Sequence, residues 1–424
     1  MQRYSEYKDS GVQWLGEIPN HWEVKRLASF FSERRVKVSD KDYPPLSVTK
    51  LGIFPQWENV AKTNDGDNRK LVRKGDFVIN SRSDRKGSSG VSDRDGSVSL
   101  INIVLKPRKV IHVGYSNYLL KSYKFIEEYY RNGRGIVADL WTTRFDEMKM
   151  IKLAIPTLIE QEAIANYLDS VTSKIDTAIA QQQKMIDLLN ERKQIIINNA
   201  VTKGLNPNVK MKDSGVEWIG EMPEHWEVKP LKYCAKTNSG STPRTILGKE
   251  NPLSNIKWVR TTDLDNSSVY DTSEYLSLKE IQSASCPLLP KNTVLISMYG
   301  GSGSFGKLGI LKIEATINQA LCSINCFQNI LPEYIFYYLQ AIHSIWMKFA
   351  ASTRKDPNLN QDIVKNISVV LPSMDEQKKL VDYISCENRR IQTLVKIANE
   401  QISLLQERKQ IIINDVVTGK VKVV

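Results

Sequence analysis

The sequence predicts a mixed α/β chain of the α+β kind. Two globular domains are joined by an antiparallel pair of long helices, a coiled-coil spacer, in a pseudo-twofold internal duplication. Three observations predict this: the chain repeats itself, two stretches of some forty residues are helical throughout, and the segments between the repeated blocks are β-rich and unlike each other.

The repeat is plain at both ends of each unit. Residues 8–27 read KDSGVQWLGEIPNHWEVKRL and residues 212–231 read KDSGVEWIGEMPEHWEVKPL, with 15 of 20 positions identical. Residues 188–205 (LLNERKQIIINNAVTKGL) and 404–421 (LLQERKQIIINDVVTGKV) share 12 of 18, at an offset of 216. A unit of about 205 residues occurring twice is too long and too few for a solenoid. Ends that match around middles that do not suggest a shared structural task and a different contact for each copy.

The helices close each unit. After Pro156 no proline or glycine interrupts the chain to residue 200. Thr157 to Glu160 and Ser373 to Glu376 fit capping boxes, with Pro156 and Pro372 just outside, where a proline removes no helical hydrogen bond. Behind the caps runs a seven-residue period: Leu168, Ile175, Gln182, Leu189 and Ile196, then Ile384, Ile391, Ala398, Leu405 and Ile412. Apolar residues at this spacing form a helix–helix seam, and a polar one such as Gln182 can fix its register. A helix of this length spans about 65 Å at 1.5 Å per residue, whereas the intervening globule has a radius of gyration near 15 Å. An antiparallel pair needs no return over that distance. The expected boundaries are residues 1–155 for the first globule, 156–205 for the first helix, 206–371 for the second globule and 372–424 for the second helix.

Within the globules, strands are expected at Phe77 to Ile79, Ser99 to Leu105, Thr293 to Ser297 and Leu308 to Ile313, bounded by turn residues. Pro332 opens a helix whose Tyr and Phe side chains suit a core better than a base-stacking platform.

Composition narrows the function. The chain has 424 residues, 41% hydrophobic and 25% charged, a globular profile. No apolar run reaches the length of a membrane span. The start, MQRYSEYKDSG, has no apolar signal core, so a cytoplasmic, reducing compartment is expected and five cysteines are not disulfide staples. Lys and Arg number 59 against 47 Asp and Glu, a net charge of +12 that favours a polyanionic partner.

Catalytic motifs are missing. Gly301 to Leu308 (GSGSFGKL) falls one residue short of a phosphate-binding loop and runs into a strand instead of a helix. Cys322 and Cys326 have no second pair at zinc spacing. His21 and His225 are equivalent in the repeat and suit turn packing. Glu376 in DEQK is explained by its cap. No metal or catalytic site is expected.

The divergent middles hold the candidate contacts. The loop Ser81 to Gly90 (SRSDRKGSSG) follows a strand and can lay Arg82, Ser83, Arg85 and Lys86 on phosphates or guanine edges. A solvated surface loop would have the same composition. The second copy has SMYGGSGSFGK in the matching place, with Ser297, Tyr299 and Ser302, and a polar loop carrying Arg354, Lys355 and Asn360. Thr142, Thr143 and Arg144 sit comparably in the first copy. Lys50, Arg260 and Thr261 follow earlier strands.

In these features the chain resembles one family, the specificity subunits of type I restriction-modification systems. The resemblance covers the whole chain: the WLGEIPNHWEVKRL and WIGEMPEHWEVKPL openings, the globule-final IPTLIEQEAIANYLD and LPSMDEQKKLVDYIS, both ERKQIIIN helix ends, and the pair Asn318-Gln319. The first copy has Ile101-Asn102 in place of that pair. The resemblance implies two target recognition domains, each reading one half of a bipartite double-stranded DNA site, with Asn318 and Gln319 among the contacts. It implies helices that dock two modification (methyltransferase) subunits, which carry SAM, and motor-nuclease restriction subunits that complete the complex. The chain itself would be non-catalytic and need no cofactor. Two other readings compete: a duplicated scaffold that binds proteins through its globules, and a stand-alone nuclease, for which acidic clusters are lacking.

Overall fold

The computed structural model describes residues 2–56, 66–135, 141–244, 246, 254–300, 304–350 and 359–423, with backbone alone for Met347, Phe349 and Ala350. Ser302, Arg354 and Lys355 lie outside the described residues. The chain divides into two compact units. The first comprises Met1–Gln183 and Asn399–Val424, the second Lys184–Ala398. Both long helices, Leu158–Lys203 and Met374–Val417, therefore contribute to both units.

Each globule has three layers. In the first unit a four-stranded sheet runs in the order Ser89–Val91, Phe77–Asn80, Asn102–Pro107, Phe31–Glu33, all antiparallel. Side chains alternate across a strand. Phe77, Ile79, Ile103 and Leu105 face a core shared with the helices, while Val78 and Val104 face a smaller core with Leu46, Val72 and Val98 beneath a second sheet. The second unit repeats this with unrelated residues. Val294, Ile296, Cys322 and Ile324 face the helices, and Leu295 and Leu321 face the other way. The middles thus differ in sequence but keep the same period-two burial.

The expected strand from Ser99 to Leu105 is broken. Gly96–Ser99 belongs to the second sheet and Asn102–Pro107 to the first, with the chain crossing between them at Leu100 and Ile101. Pro332 does open a helix, Pro332–Ala341, and Tyr334, Phe336 and Tyr338 are buried in it.

The repeated ends build a clasp between globule and helix. A hairpin (Tyr7–Asp9 with Glu17–Pro19) is followed by Glu23–Arg26, which pairs with Lys152–Ile155 just before the first helix. The second unit repeats all of this with Met211–Asp213, Glu221–Pro223, Glu227–Pro230 and Ser368–Leu371. Buried Trp22 donates its indole N–H to Glu160 Oε1 at 3.1 Å, and His21 Nε2 lies 2.9 Å from Glu160 Oε2. Trp226 and His225 meet Glu376 at 3.1 and 2.8 Å. The Ser373–Glu376 capping box is closed from both sides, at 3.1 and 3.4 Å. At the first helix only the Thr157 half is described, Glu160 N–H donating to Thr157 Oγ1 at 3.4 Å, because the Glu160 carboxylate turns to Trp22, His21 and Tyr4.

The helices pack antiparallel within each unit. In the first, Leu168 and Ile175 near the start of one helix share a core with Ile412, Ile413, Val416 and Val417 near the end of the other, and Lys409 pairs with Asp176. In the second, Ile197, Ala200 and Val201 pack with Leu380 and Ile384. Ile391 and Ala398 are also buried, whereas Gln182, Leu189, Ile196 and Leu405 are half-buried. Each helix ends on a left-handed glycine, which only a residue without a Cβ adopts freely. Gly204 (φ +77°) packs on Trp226, and Gly419 (φ +75°) on Trp22. Tyr334 and Tyr115 direct their hydroxyls at the carbonyls of Val201 and Val417, both at 3.5 Å.

Candidate nucleic-acid interface

In the first unit the loop after Phe77–Asn80 is a braced hairpin. It makes one 3-10 turn, Ser83–Arg85, and returns as Ser89–Val91. The Tyr130 hydroxyl donates toward the carbonyls of Asn80 (3.2 Å) and Arg82 (3.1 Å), Arg82 N–H donates to Asn80 Oδ1 (3.0 Å), and Ser83 N–H to Trp141 O (3.2 Å). On this frame Arg82, Arg85 and Lys86 are exposed. Among the described residues Arg85 has an ion-pair partner in its neighbour Asp84 alone, at 3.7 Å, and Lys86 pairs with Glu127 at 2.7 Å.

Other candidates are fastened to the same hairpin. Lys50 stands exposed on the Thr49–Gly52 turn, and Thr49 O accepts from Ser89 N–H at 3.1 Å. Gly90 lies so close to Gly52 that a Cβ there would come within 3.2 Å of its Cα. Thr142 bridges to Arg82 on one side and Arg134 on the other, and exposed Arg144 follows. Thr143 is a correction. It is fully buried, its hydroxyl donating to Tyr129 O at 3.1 Å and its carbonyl accepting from the Tyr129 hydroxyl at 2.9 Å, so its side chain holds the frame and cannot reach a ligand. Sequence reasoning missed Arg134, whose side chain is 84% exposed beside Glu147. A lone Arg between two glycines in NGRG was the available signal.

In the second unit a parallel pairing does the assembling. Trp258–Thr316 and Val259–Ile317 are register partners in two parallel strands, so the residues that follow, Arg260 and Asn318, leave at the same edge. Asn318 N–H donates to Val259 O at 3.0 Å. Arg260 Nη2 donates to Ser273 Oγ at 2.8 Å, and Thr242 donates its hydroxyl to the exposed Gln319. Gly300 places Thr261 Oγ1 3.6 Å from where its Cβ would stand. Arg260 Nε and Asn318 Oδ1 are buried at this edge without a partner among the described residues. Buried polar atoms are nearly always bonded, so an unused donor and acceptor here are groups a ligand can satisfy.

Ser297 is the second correction. It ends the strand Val294–Ser297, which is buried on both faces, and is itself fully buried, with its hydroxyl on Tyr299 O at 3.2 Å. Tyr299 is half-buried against the main core. Asn360 is exposed, but its Oδ1 caps the helix Gln361–Asn366, accepting from Ile363 N–H at 2.8 Å. Cys234, Cys322 and Cys326 have thiols pushed up by burial, the last two to about 12, which leaves them unreactive at neutral pH. Among the described residues no group of His, Cys, Asp and Glu could hold a metal, and no helix is long and apolar enough to cross a membrane.

Known proteins align with this architecture. Residues 223–402 match the model of the type I restriction modification DNA specificity domain. The type I restriction enzyme MjaVIII specificity subunit of Methanocaldococcus jannaschii is 24% identical over 100% of this chain and 98% of its own length. The EcoKI specificity subunit of Escherichia coli is 23% identical, over 96% of this chain and 90% of its own. Among solved structures, a chain from work on complex assembly and conformational transition of the type I R-M system superposes with a TM-score of 0.73 at 14% identity, covering 95% of this chain and 99% of that one. The HsdS subunit of Thermoanaerobacter tengcongensis gives 0.53 at 15% identity, covering 95% and 98%.

Proposed function

We propose that this chain, which belongs to the family of type I restriction-modification specificity subunits, is the component that chooses the DNA sequence, reading a bipartite site with one half per globule. The carrying observation is the contrast inside the duplication. The clasp recurs with the same His, Trp and Glu in both copies, whereas the polar groups mounted on the two frames differ in kind and placement. A frame shared by both halves with different side chains mounted on it is what two different base sequences require. Arg82, Arg85 and Arg260 offer forks for guanine, and Asn318 and Gln319 suit adenine. The net charge of +12 adds sequence-independent attraction to phosphates.

The chain selects without methylating or cutting. The long helices supply docking ground for two modification subunits, one per copy. Leu188 and Ile195 are half-exposed on one helix, and their repeat equivalents Leu404 and Ile411 on the other (50, 52, 65 and 50% exposed). An apolar stripe kept exposed in both copies suits a protein partner. SAM belongs on that partner, and motor-nuclease subunits complete the restriction complex. The scaffold alternative has no observation in its favour.

The test is exchange. Residues 28–150 replaced by those of a relative should change one half of the methylated motif, mapped as methyladenine in cells that also carry the modification subunit. A change in both halves, or in neither, would refute independent reading.

A further inference from the structure

Two adjoining clefts in the first unit hold cations that the hairpin Arg82 to Lys86 does not need. One, of about 470 Å³, is lined by Arg3, Trp14, Glu17, Lys124 and Lys420. The other, of about 690 Å³, shares Trp14 and Lys124 and runs on to Lys86 and Arg131. Lys86 and Arg131 are neutralised by Glu127 and Glu128, each at 2.7 Å. Lys124 and Lys420 instead lie against each other. Burial and that neighbouring ammonium bring Lys124 down to about 8, with Asp415 opposing. Arg3 sits over the Tyr7 ring, 5.2 Å from its centroid, and forms no salt bridge among the described residues. The Trp14 indole Nε1 is buried with no acceptor among the described residues.

Structural need does not account for this cluster. The repeat places Pro207 where Arg3 stands. At the helix end the second unit reads Lys203-Gly204-Leu205 where the first reads Gly419-Lys420-Val421, so its lysine stands before the glycine and not after it. The second unit's helix His343–Ala350, in the place of Tyr123–Arg131, has no lysine in its first turn. The second unit keeps the frame without counterparts of Arg3 and Lys124, and with its helix-end lysine displaced by one residue. Like charges held together beside an unused N–H donor form a site that an oxyanion completes, because each charged hydrogen bond to it is stronger than a neutral one and the repulsion is relieved at the same time.

We propose that Arg3, Trp14, Lys124 and Lys420 form a phosphate-binding site, occupied by a phosphodiester of the DNA flanking the half-site that the first globule reads. The identity of that occupant rests on the DNA-recognition reading. The site itself does not, since free phosphate offers the same oxygens.

Both are tested on the full chain assembled with its modification subunits, wild type and with Lys124→Gln and Lys420→Gln together. Duplexes carry one uncharged methylphosphonate at successive flanking positions. At one position the neutral linkage should weaken wild-type binding several-fold and leave the double variant unaffected. The variant's salt slope should be flatter by about one, because the two lysines share a single phosphate, and Lys124→Arg with Lys420→Arg should restore it. In parallel, inorganic phosphate is titrated while the Trp14 indole N–H resonance, assigned with Trp14→Phe, is followed. A shift in wild type without any coupled methylphosphonate position would support the site and overturn the DNA occupant. No coupled position and no shift would overturn the proposal altogether. Absence of salt-dependent duplex binding by the wild-type complex would instead sink the recognition reading and leave the titration to decide the site. Should the double variant fail to assemble, the wild-type titration still decides.

Discussion

Glu160→Ala tests the clasp that fixes the first globule on its helix. Three partners converge on this carboxylate: Trp22, His21 and Tyr4. His21 has a side chain 52% exposed, so water replaces what it loses. Trp22 is fully buried, and its N–H would be stranded. A stranded buried donor costs about 1–3 kcal/mol, so a loss of at least that size is expected, with the half-buried Tyr4 hydroxyl adding to it. Trp22→Phe removes the donor and leaves Glu160 its other two partners. The double variant should therefore lose less than the sum of the single losses, by about 1 kcal/mol or more. The readout is hydrogen exchange of the amides in the first turns of the helix Leu158–Lys203, with the Glu376 end of the other helix as internal control. Exchange is preferable to one melting curve because the two units need not unfold together. If the single losses add within about 0.5 kcal/mol, as independent sites do, the indole–carboxylate bond is not what holds the joint.

The second clasp gives a pH signature. Burial would raise the Glu376 carboxyl, but hydrogen bonds from His225, Trp226 and Ser373 outweigh it and hold it at about 2. A depressed carboxylate stabilises above its unfolded pKa, near 4.3, and loses that contribution as pH falls toward 2. The stability gap between wild type and Glu376→Gln should be widest above pH 5 and close toward pH 2, and a constant gap would contradict this. Leu188→Asp should leave the chain folded but weaken assembly with the modification subunit, whereas Leu168→Asp, at a fully buried position, should prevent folding. Comparing circular dichroism with co-purification separates the two, and equal effects would refute the division between seam and docking stripe. Thr143→Val should lower stability by about 1 kcal/mol through its lost bond to Tyr129 without altering the methylated motif; an altered motif would restore Thr143 to the interface.

The duplication, the long helices and their antiparallel course were legible because each is a local or periodic signal. The heptad marks drifted at the far end. Ile196 is half-buried while Ile197 is fully buried, because a helix advances 3.6 residues per turn and a seven-residue count slips about 20° each time. The pairing of His21 and Trp22 with Glu160 was invisible, since the partners stand more than 130 residues apart and nothing in composition joins them. Thr143 and Ser297 looked like contacts because small polar residues beside a loop suit either task, and only the tertiary packing around Tyr129 and on both faces of the Val294–Ser297 strand buries them. The edge at Arg260 and Asn318 depended on a parallel pairing that residue order does not reveal.

The two units differ in when they can exist. The second is one unbroken stretch, Lys184–Ala398, but the first lacks a wall of its core until Asn399–Val424 is made, including Ile412, Val416 and Val417. At the 5–20 residues per second of synthesis, the N-terminal globule waits roughly 10–40 s with Trp22 and Tyr115 uncovered on that side. The part translated first is therefore the last to finish folding. During that interval it is the half that a chaperone has most reason to hold, and premature termination anywhere before the last helix would leave both globules unfinished.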